Sequence, residues 1–188
     1  NPTVGCIITL NGQVIGRGYH QYAGQGHAEV NAIANAGGDV KGATVYVSLE
    51  PCSFFGQTPA CARTLIDAGV ARVVIGALDP NPRVAGNGIA LLEASNIKVE
   101  LLDLAVARFC IAGFAKRITT NRPLVRLKTA SSIDGAIALE NGESQWITGP
   151  SARMDVQYWR ARSDAVITGV GTVIADDPQL NVRHAEYA

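Results

Sequence analysis

HAEVNAIANAGG (residues 27–38) and ATVYVSLEPCSFFGQTPAC (residues 43–61) decide the fold between them. The first reads as a helix stopped by Gly37-Gly38, because the left-handed backbone that ends a helix suits glycine. The second opens on a β-rich, nearly all-apolar run over 43–49, as a strand buried on both faces would. It then passes through Pro51 into a loop flanked by Cys52 and Cys61, and the second cysteine starts a short helix that Gly69 ends. Helix, strand and helix in that order belong to an α/β sheet.

The same alternation continues outward. Upstream, residues 4–10 read as a strand, Asn11-Gly12 as a tight turn, and residues 14–19 as the hairpin partner. Downstream, ARVVIGAL (71–78) predicts a strand, 90–95 a helix, IKVELL (97–102) a strand, and 104–115 a closing helix. KRITTNRP (116–123) is polar and ends in proline, which places a domain boundary there. Residues 1–116 form the first domain, 117–123 a linker and 124–188 a second unit. That unit begins with a β-rich run over 124–138, continues into an amphipathic helix over 151–162, and returns to a strand at DAVITG (164–169). About 65 residues are few for an independent enzymatic domain, so the second unit is expected to be incomplete. The single methionine is Met154, and the chain is expected to be a piece of a longer product, cut at the front, with no closing element in its last residues either.

Composition narrows the function classes. Of 188 residues, 47% are hydrophobic and 17% charged, the balance of a globular protein with a sizeable core. Formal net charge is zero and no Lys/Arg run appears, so the basic footprint of a nucleic-acid binder is missing. A small substrate is the better fit. No apolar stretch approaches the roughly 18–20 residues of a membrane span, and residues 1–6 do not resemble a signal peptide. A cytoplasmic enzyme with reduced thiols is expected. Of its four cysteines, Cys6 and Cys110 fall in apolar and helical patterns and read as small core residues.

His27, Cys52 and Cys61 form a different set. Catalytic zinc takes three nitrogen or sulfur ligands and keeps a fourth position open for water. Glu29, two residues after His27, can reach that water without being a ligand. Helix starts near His27 and Cys61 offset part of the negative charge of two thiolates. His-Ala-Glu followed by Pro-Cys and a second cysteine matches the zinc-deaminase pattern H-x-E, P-C-x-x-C in all but the cysteine spacing, which is eight intervening residues here rather than two. Two other readings compete: a zinc deaminase acting on another nucleobase or nucleoside, and a non-catalytic module around structural zinc. A closed structural site has no use for Glu29 beside an open position.

The wide spacing carries a resemblance. EPCSFFGQTPACA (50–62), with NPTVGC (1–6), GYH (18–20) and DPNPRVAGNG (79–88), is similar to the bifunctional riboflavin-biosynthesis deaminase–reductases. The likeness continues through LKTASSIDG (127–135), ESQWIT (143–148) and VGTVIADDPQLNVR (170–183).

The resemblance implies a cytidine-deaminase-like three-layer α/β/α domain, here without its first helix, followed by a partial dihydrofolate-reductase-like α/β domain. Zn2+ would be held by His27, Cys52 and Cys61, with Glu29 moving protons. The first domain would deaminate a phosphorylated diaminopyrimidinone, and the second would use NADPH to reduce its ribosyl group to ribityl. Matching positions imply deaminase substrate contacts at Asn1, His20, Asp79 and Asn81, and NADPH contacts at Ala130, Trp146, Thr172 and Asp176. Reductase substrate contacts fall at Ser144, Arg160, Leu180 and Arg183, of which the two arginines suit a 5′-phosphate. A homo-oligomer, dimer or tetramer, is implied as well.

Two positions depart from the family's pattern. Phe54 stands where a histidine is common and Gln57 where Arg or Lys is common, which removes a cation suited to phosphate, a role open to Arg83. Gly169 and Gly171 resemble a dinucleotide fingerprint, but Ile174 occupies its third glycine position, so ITGVGTVIA (167–175) is read as a strand and turn of the reductase unit.

Overall fold

Burial along the strands alternates with period two, and that alternation builds the core. The computed structural model describes residues 2–54 and 59–187. In β1 (Gly5–Leu10) Cys6 and Ile8 are buried while Ile7 is exposed, and in β3 (Thr44–Val47) Val45 and Val47 are buried while Tyr46 is exposed. Together with β2 (Gln13–Tyr19), β4 (Arg72–Ile75) and β5 (Lys98–Leu101) they form one sheet in the order β2-β1-β3-β4-β5. The β1–β2 and β1–β3 pairs are antiparallel, and β3–β4 and β4–β5 are parallel. At the hairpin, Asn11 (φ 51°) and Gly12 (φ 78°) both take positive φ, the geometry that matches the twist of the flanking strands.

One face of the sheet meets α1 (Ala28–Asn35), α2 (Cys61–Asp67) and α3 (Asn87–Ala94). Ile8, Val45, Val73 and Ile75 pack there with Ala28, Ala32, Leu65 and Leu92 in one apolar cluster. Helix α1 lies unusually close to β2. A Cβ on Gly18 would fall 2.3 Å from Ala28 O and Ala32 N, and one on Gly16 2.4 Å from Ala32 O. Across the sheet, α4 (Ala105–Cys110) sets Ala107 against Gly76, on the parity of Arg72 and Val74, and begins a third layer. This is the mixed sheet, with helices on both sides, expected of a cytidine-deaminase-like domain.

The helix expected over 104–115 is two helices. Ile111 (φ −104°, ψ 10°) leaves helical geometry as its side chain turns into the core, and α5 (Ala112–Thr120) then runs into the segment read as a linker. Thr119 and Thr120 tolerate helix because their hydroxyls donate to the carbonyls of Ala115 and Lys116. Asn121, at φ 55°, stops it.

Two compact units divide as Asn1–Val125 and Arg126–Ala188. Considered alone, the second contains α6 (Pro150–Ala161), entered through a proline at its first turn, and α7 (Val170–Asp176). Among the described residues the strands expected over 124–138 and 164–169 are absent, and 170–176 is helix rather than strand and turn. A strand exists by its neighbour's hydrogen bonds. Here Ser132 N donates instead to the nearby Ala136 O in a local turn, and Leu127 (89% exposed) and Ile167 (93%) lie open. Among the described residues no helix is long and apolar enough to cross a membrane.

Candidate metal centre and its cavity

Three local structures converge at one end of the sheet. His27 is the N-cap of α1, with Glu29 in the first turn behind it. Cys52 follows β3 once the chain has passed Pro51, and Cys61 is the first residue of α2. Their three ligand atoms lie within 4.8 Å of one another. His27 Nδ1 is 3.1 Å from Cys61 Sγ and 3.7 Å from Cys52 Sγ. A tetrahedral zinc with bonds of 2.0–2.3 Å has ligand–ligand edges of roughly 3.5 Å, so the donor set fits that ion in chemistry and spacing.

The three ligand groups share protons unequally. Hydrogen bonds from Cys61 and His27, with the Cys61 backbone N–H 3.2 Å away, hold the Cys52 thiol well below its usual range, toward thiolate. The shared hydrogen bond with Cys52, together with burial, pushes the Cys61 thiol the other way, and the contact with Cys52 raises His27. Glu29 is 3% exposed, and burial raises its carboxyl above the ordinary range.

A cavity of about 210 Å³ opens over this cluster. His27, Glu29 and Cys52 line it, and so do His20, Asp79 and Asn81, three of the four positions expected to bind substrate. The fourth, Asn1, lies outside the described residues, as does Gln57. His20 stands edge-on to His27, ring centres 5.4 Å apart, with its Nδ1 3.2 Å from Gly26 O. Asp79 is buried, which raises its carboxyl. Phe54 lines the cavity, while Arg83 is exposed two residues beyond Asn81. Sequence reading missed Glu50 and Phe114, which also line it. Glu50 sits inside the quoted LEPC run but has no metal-ligand spacing, and Phe114 belongs to a helix read as closing the domain.

The second unit brings its expected residues together in smaller groups. Ser144 and Trp146 share a shallow recess formed by residues 142–146, with the Arg153 guanidinium 4.3 Å from the Trp146 ring centre. On α6, Arg160 donates to Asn181 O, and the Gln157 side chain accepts from Arg183 N. Partial burial and the Arg183 charge both lower Arg160. Thr172 and Asp176 lie four residues apart on one side of α7, and Leu180 takes a positive φ of 47°. The recess includes none of Ala130, Thr172 or Asp176.

Comparison with known proteins matches both parts of this description. Residues 1–77 match the cytidine and deoxycytidylate deaminase zinc-binding region, and residues 123–188 the RibD C-terminal domain. The riboflavin biosynthesis protein RibD of Escherichia coli (strain K12) is 52% identical over 187 residues, 99% of this chain.

The chain belongs to the RibD family.

It spans about half the length of the curated RibD relatives it matches, 51% of the Escherichia coli protein. Solved RibD structures agree. Acinetobacter baumannii RibD (form 2) is 52% identical with a TM-score of 0.86, over 100% of this chain and 53% of that one. A diaminohydroxyphosphoribosylaminopyrimidine deaminase/5-amino-6-(5-phosphoribosylamino)uracil reductase from Thermotoga maritima is 41% identical with a TM-score of 0.91, over 100% and 54%.

Proposed function

We propose that this RibD-family chain carries a zinc deaminase, residues 1–116, and the N-terminal part of an NADPH-dependent reductase, residues 124–188, joined through 117–123. Both would serve riboflavin biosynthesis. One observation carries the reading: His27, Cys52 and Cys61 meet beside the buried carboxyl of Glu29 at a cavity that His20, Asp79 and Asn81 also line. The substrate would be 2,5-diamino-6-(5-phosphoribosylamino)pyrimidin-4(3H)-one, whose 2-amino group leaves as ammonia while an oxygen from water takes its place.

His27 Nδ1, Cys52 Sγ and Cys61 Sγ would hold the zinc, whose Lewis acidity makes water nucleophilic near neutral pH. Glu29 handles the protons. Its carboxylate takes one from the attacking water and passes it to the ring nitrogen beside the carbon under attack, then takes the second from the added hydroxyl and delivers it to the departing amine. Burial raises its pKa toward the working range, as both accepting and donating require. His20, Asp79, Asn81 and Asn1 would orient the pyrimidine and its ribose phosphate, with Arg83 available to the phosphate.

In the second step a hydride from NADPH would reduce the ribosyl group to ribityl. Ala130, Trp146, Thr172 and Asp176 would contact the cofactor, and Ser144, Arg160, Leu180 and Arg183 the intermediate. Four free cysteines support a cytoplasmic setting, zero net charge supports a small substrate over nucleic acid, and resemblance to the family supports a dimer or tetramer.

Incubating the zinc-loaded full-length protein with the diaminopyrimidinone, with and without NADPH, tests this directly. Ammonia should appear in both, and NADPH should be consumed only after deamination. No ammonia from folded, metal-loaded protein would overturn the proposal. The full-length protein should also bind about one zinc per chain, and Cys52→Ser and Cys61→Ser should each abolish stable loading. Parent-like zinc content in both variants would remove these residues from the ligand set.

The two chemistries are encoded on opposite sides of residues 117–123. Chelating the zinc should therefore stop deamination yet leave reduction of the already deaminated intermediate within about twofold of the untreated rate. Loss of both activities from protein that is still folded by circular dichroism would contradict two separate sites.

A further inference from the structure

Glu50 is a buried carboxylate, 3% exposed, and no cation is paired to it among the described residues. Its partners are four backbone N–H groups from a distant stretch of chain. Oε1 accepts from Gly88 N (2.9 Å) and Ile89 N (3.3 Å), and Oε2 from Gly86 N (3.0 Å) and Asp79 N (3.3 Å). A carboxylate offers about four lone-pair sites, and here each one meets an amide. Little acceptor capacity remains for substrate, which argues against Glu50 as a base or a ligand.

Those amides include the start of α3. Its N-cap is Gly86, which has no side chain to satisfy the first-turn donors. Glu50 performs that task from the turn that follows β3 and also complements the positive end of the helix. The same carboxylate holds Asp79, from which a relay of short turns continues: Asp79 Oδ1 accepts from Asn81 N at 2.7 Å, and Asn81 Oδ1 from Arg83 N at 3.1 Å. The backbone tightens around this arrangement, since a Cβ on Gly88 would fall 2.0 Å from Pro51 O. One anion two residues before Cys52 therefore joins the metal-binding turn to the wall bearing Asp79 and Asn81.

We propose that Glu50 is a positioning residue for substrate binding: it fixes Asp79 and Asn81 relative to the metal cluster and does not itself take part in proton transfer. This rests on the deaminase reading above. Glu50→Gln is the informative variant, because its amide nitrogen must face two N–H donors where an oxygen now accepts from them. In the full-length, zinc-loaded protein, KM for the diaminopyrimidinone should rise about tenfold while kcat stays within about threefold and zinc per chain is unchanged. Combining it with Asp79→Asn should add little to the KM effect of either alone, since Glu50 acts by placing the Asp79 side chain that the second change alters.

If the parent releases ammonia and the variant's KM stays within twofold of it, Glu50 serves stability alone and the inference is overturned. If the parent releases none, the deaminase reading falls first. Should Glu50→Gln fail to accumulate as folded protein, Glu50→Asp, which keeps the charge but withdraws it from the amides, is held to the same criteria. Failure of both variants to fold also overturns the positioning role.

Discussion

Glu29→Gln is expected to lower deamination by about three orders of magnitude, roughly 4 kcal/mol at the transition state, with zinc content unchanged. Glutamine preserves size and shape at a site where the glutamate is 3% exposed, so packing offers no competing explanation. What it loses is the capacity to accept a proton and return it. The carboxyl lines the same cavity as His27 and Cys52, and burial holds it above the ordinary carboxylate range. Zinc measured on the purified variant separates loss of the proton carrier from loss of the metal. Turnover within tenfold of the parent, at full zinc occupancy, would remove Glu29 from the mechanism.

The second large effect concerns the reductase side. A polypeptide limited to these 188 residues should oxidise NADPH at less than about a thousandth of the full-length rate, even when given the deaminated intermediate. Hydride transfer needs cofactor and substrate held in register by a rigid frame. The described part of the second unit has α6 and α7 but no strand, and Leu127, Ile167 and Val170 are exposed where a sheet would bury them. The residues expected to hold the cofactor are dispersed as well, with Trp146 in a surface recess and Thr172 and Asp176 on α7. Following absorbance at 340 nm with fragment and full-length protein side by side decides the matter. Comparable rates would mean that the second unit assembles a working nicotinamide site by itself.

How far these features were legible in sequence depended on the range of the interactions behind them. The hairpin was legible because Asn11 and Gly12 encode positive φ locally. His27, Cys52 and Cys61 were legible because zinc demands particular donor types, and the chain offers them beside a helix start and a strand end. Glu50 was not. Its partners lie 29 to 39 residues away and are backbone amides, which have no signature in the identity of their residues. The break at Ile111 escaped notice for a related reason, since residues on either side favour helix and the interruption reflects burial of one side chain. In the second unit, β-rich composition predicted strands that lack hydrogen-bonded neighbours among the described residues. A propensity records what a segment tolerates, and a ladder needs two segments.

The contact between α1 and β2 has a consequence for tolerance. Most helices ride on their sheets through side chains, and a small displacement can be absorbed when a rotamer turns. At Gly16 and Gly18 that cushion is missing, because the carbonyls and amides of Ala28 and Ala32 occupy the space a methyl group would need. Main chain bears directly on main chain, so the height of the helix above the hairpin is set by covalent geometry. His27 and Glu29 sit at the end of that helix and inherit its accuracy. The hairpin thus works as a gauge block for the proton carrier, and a single methyl at Gly18 would shift the setting although no catalytic side chain had been touched.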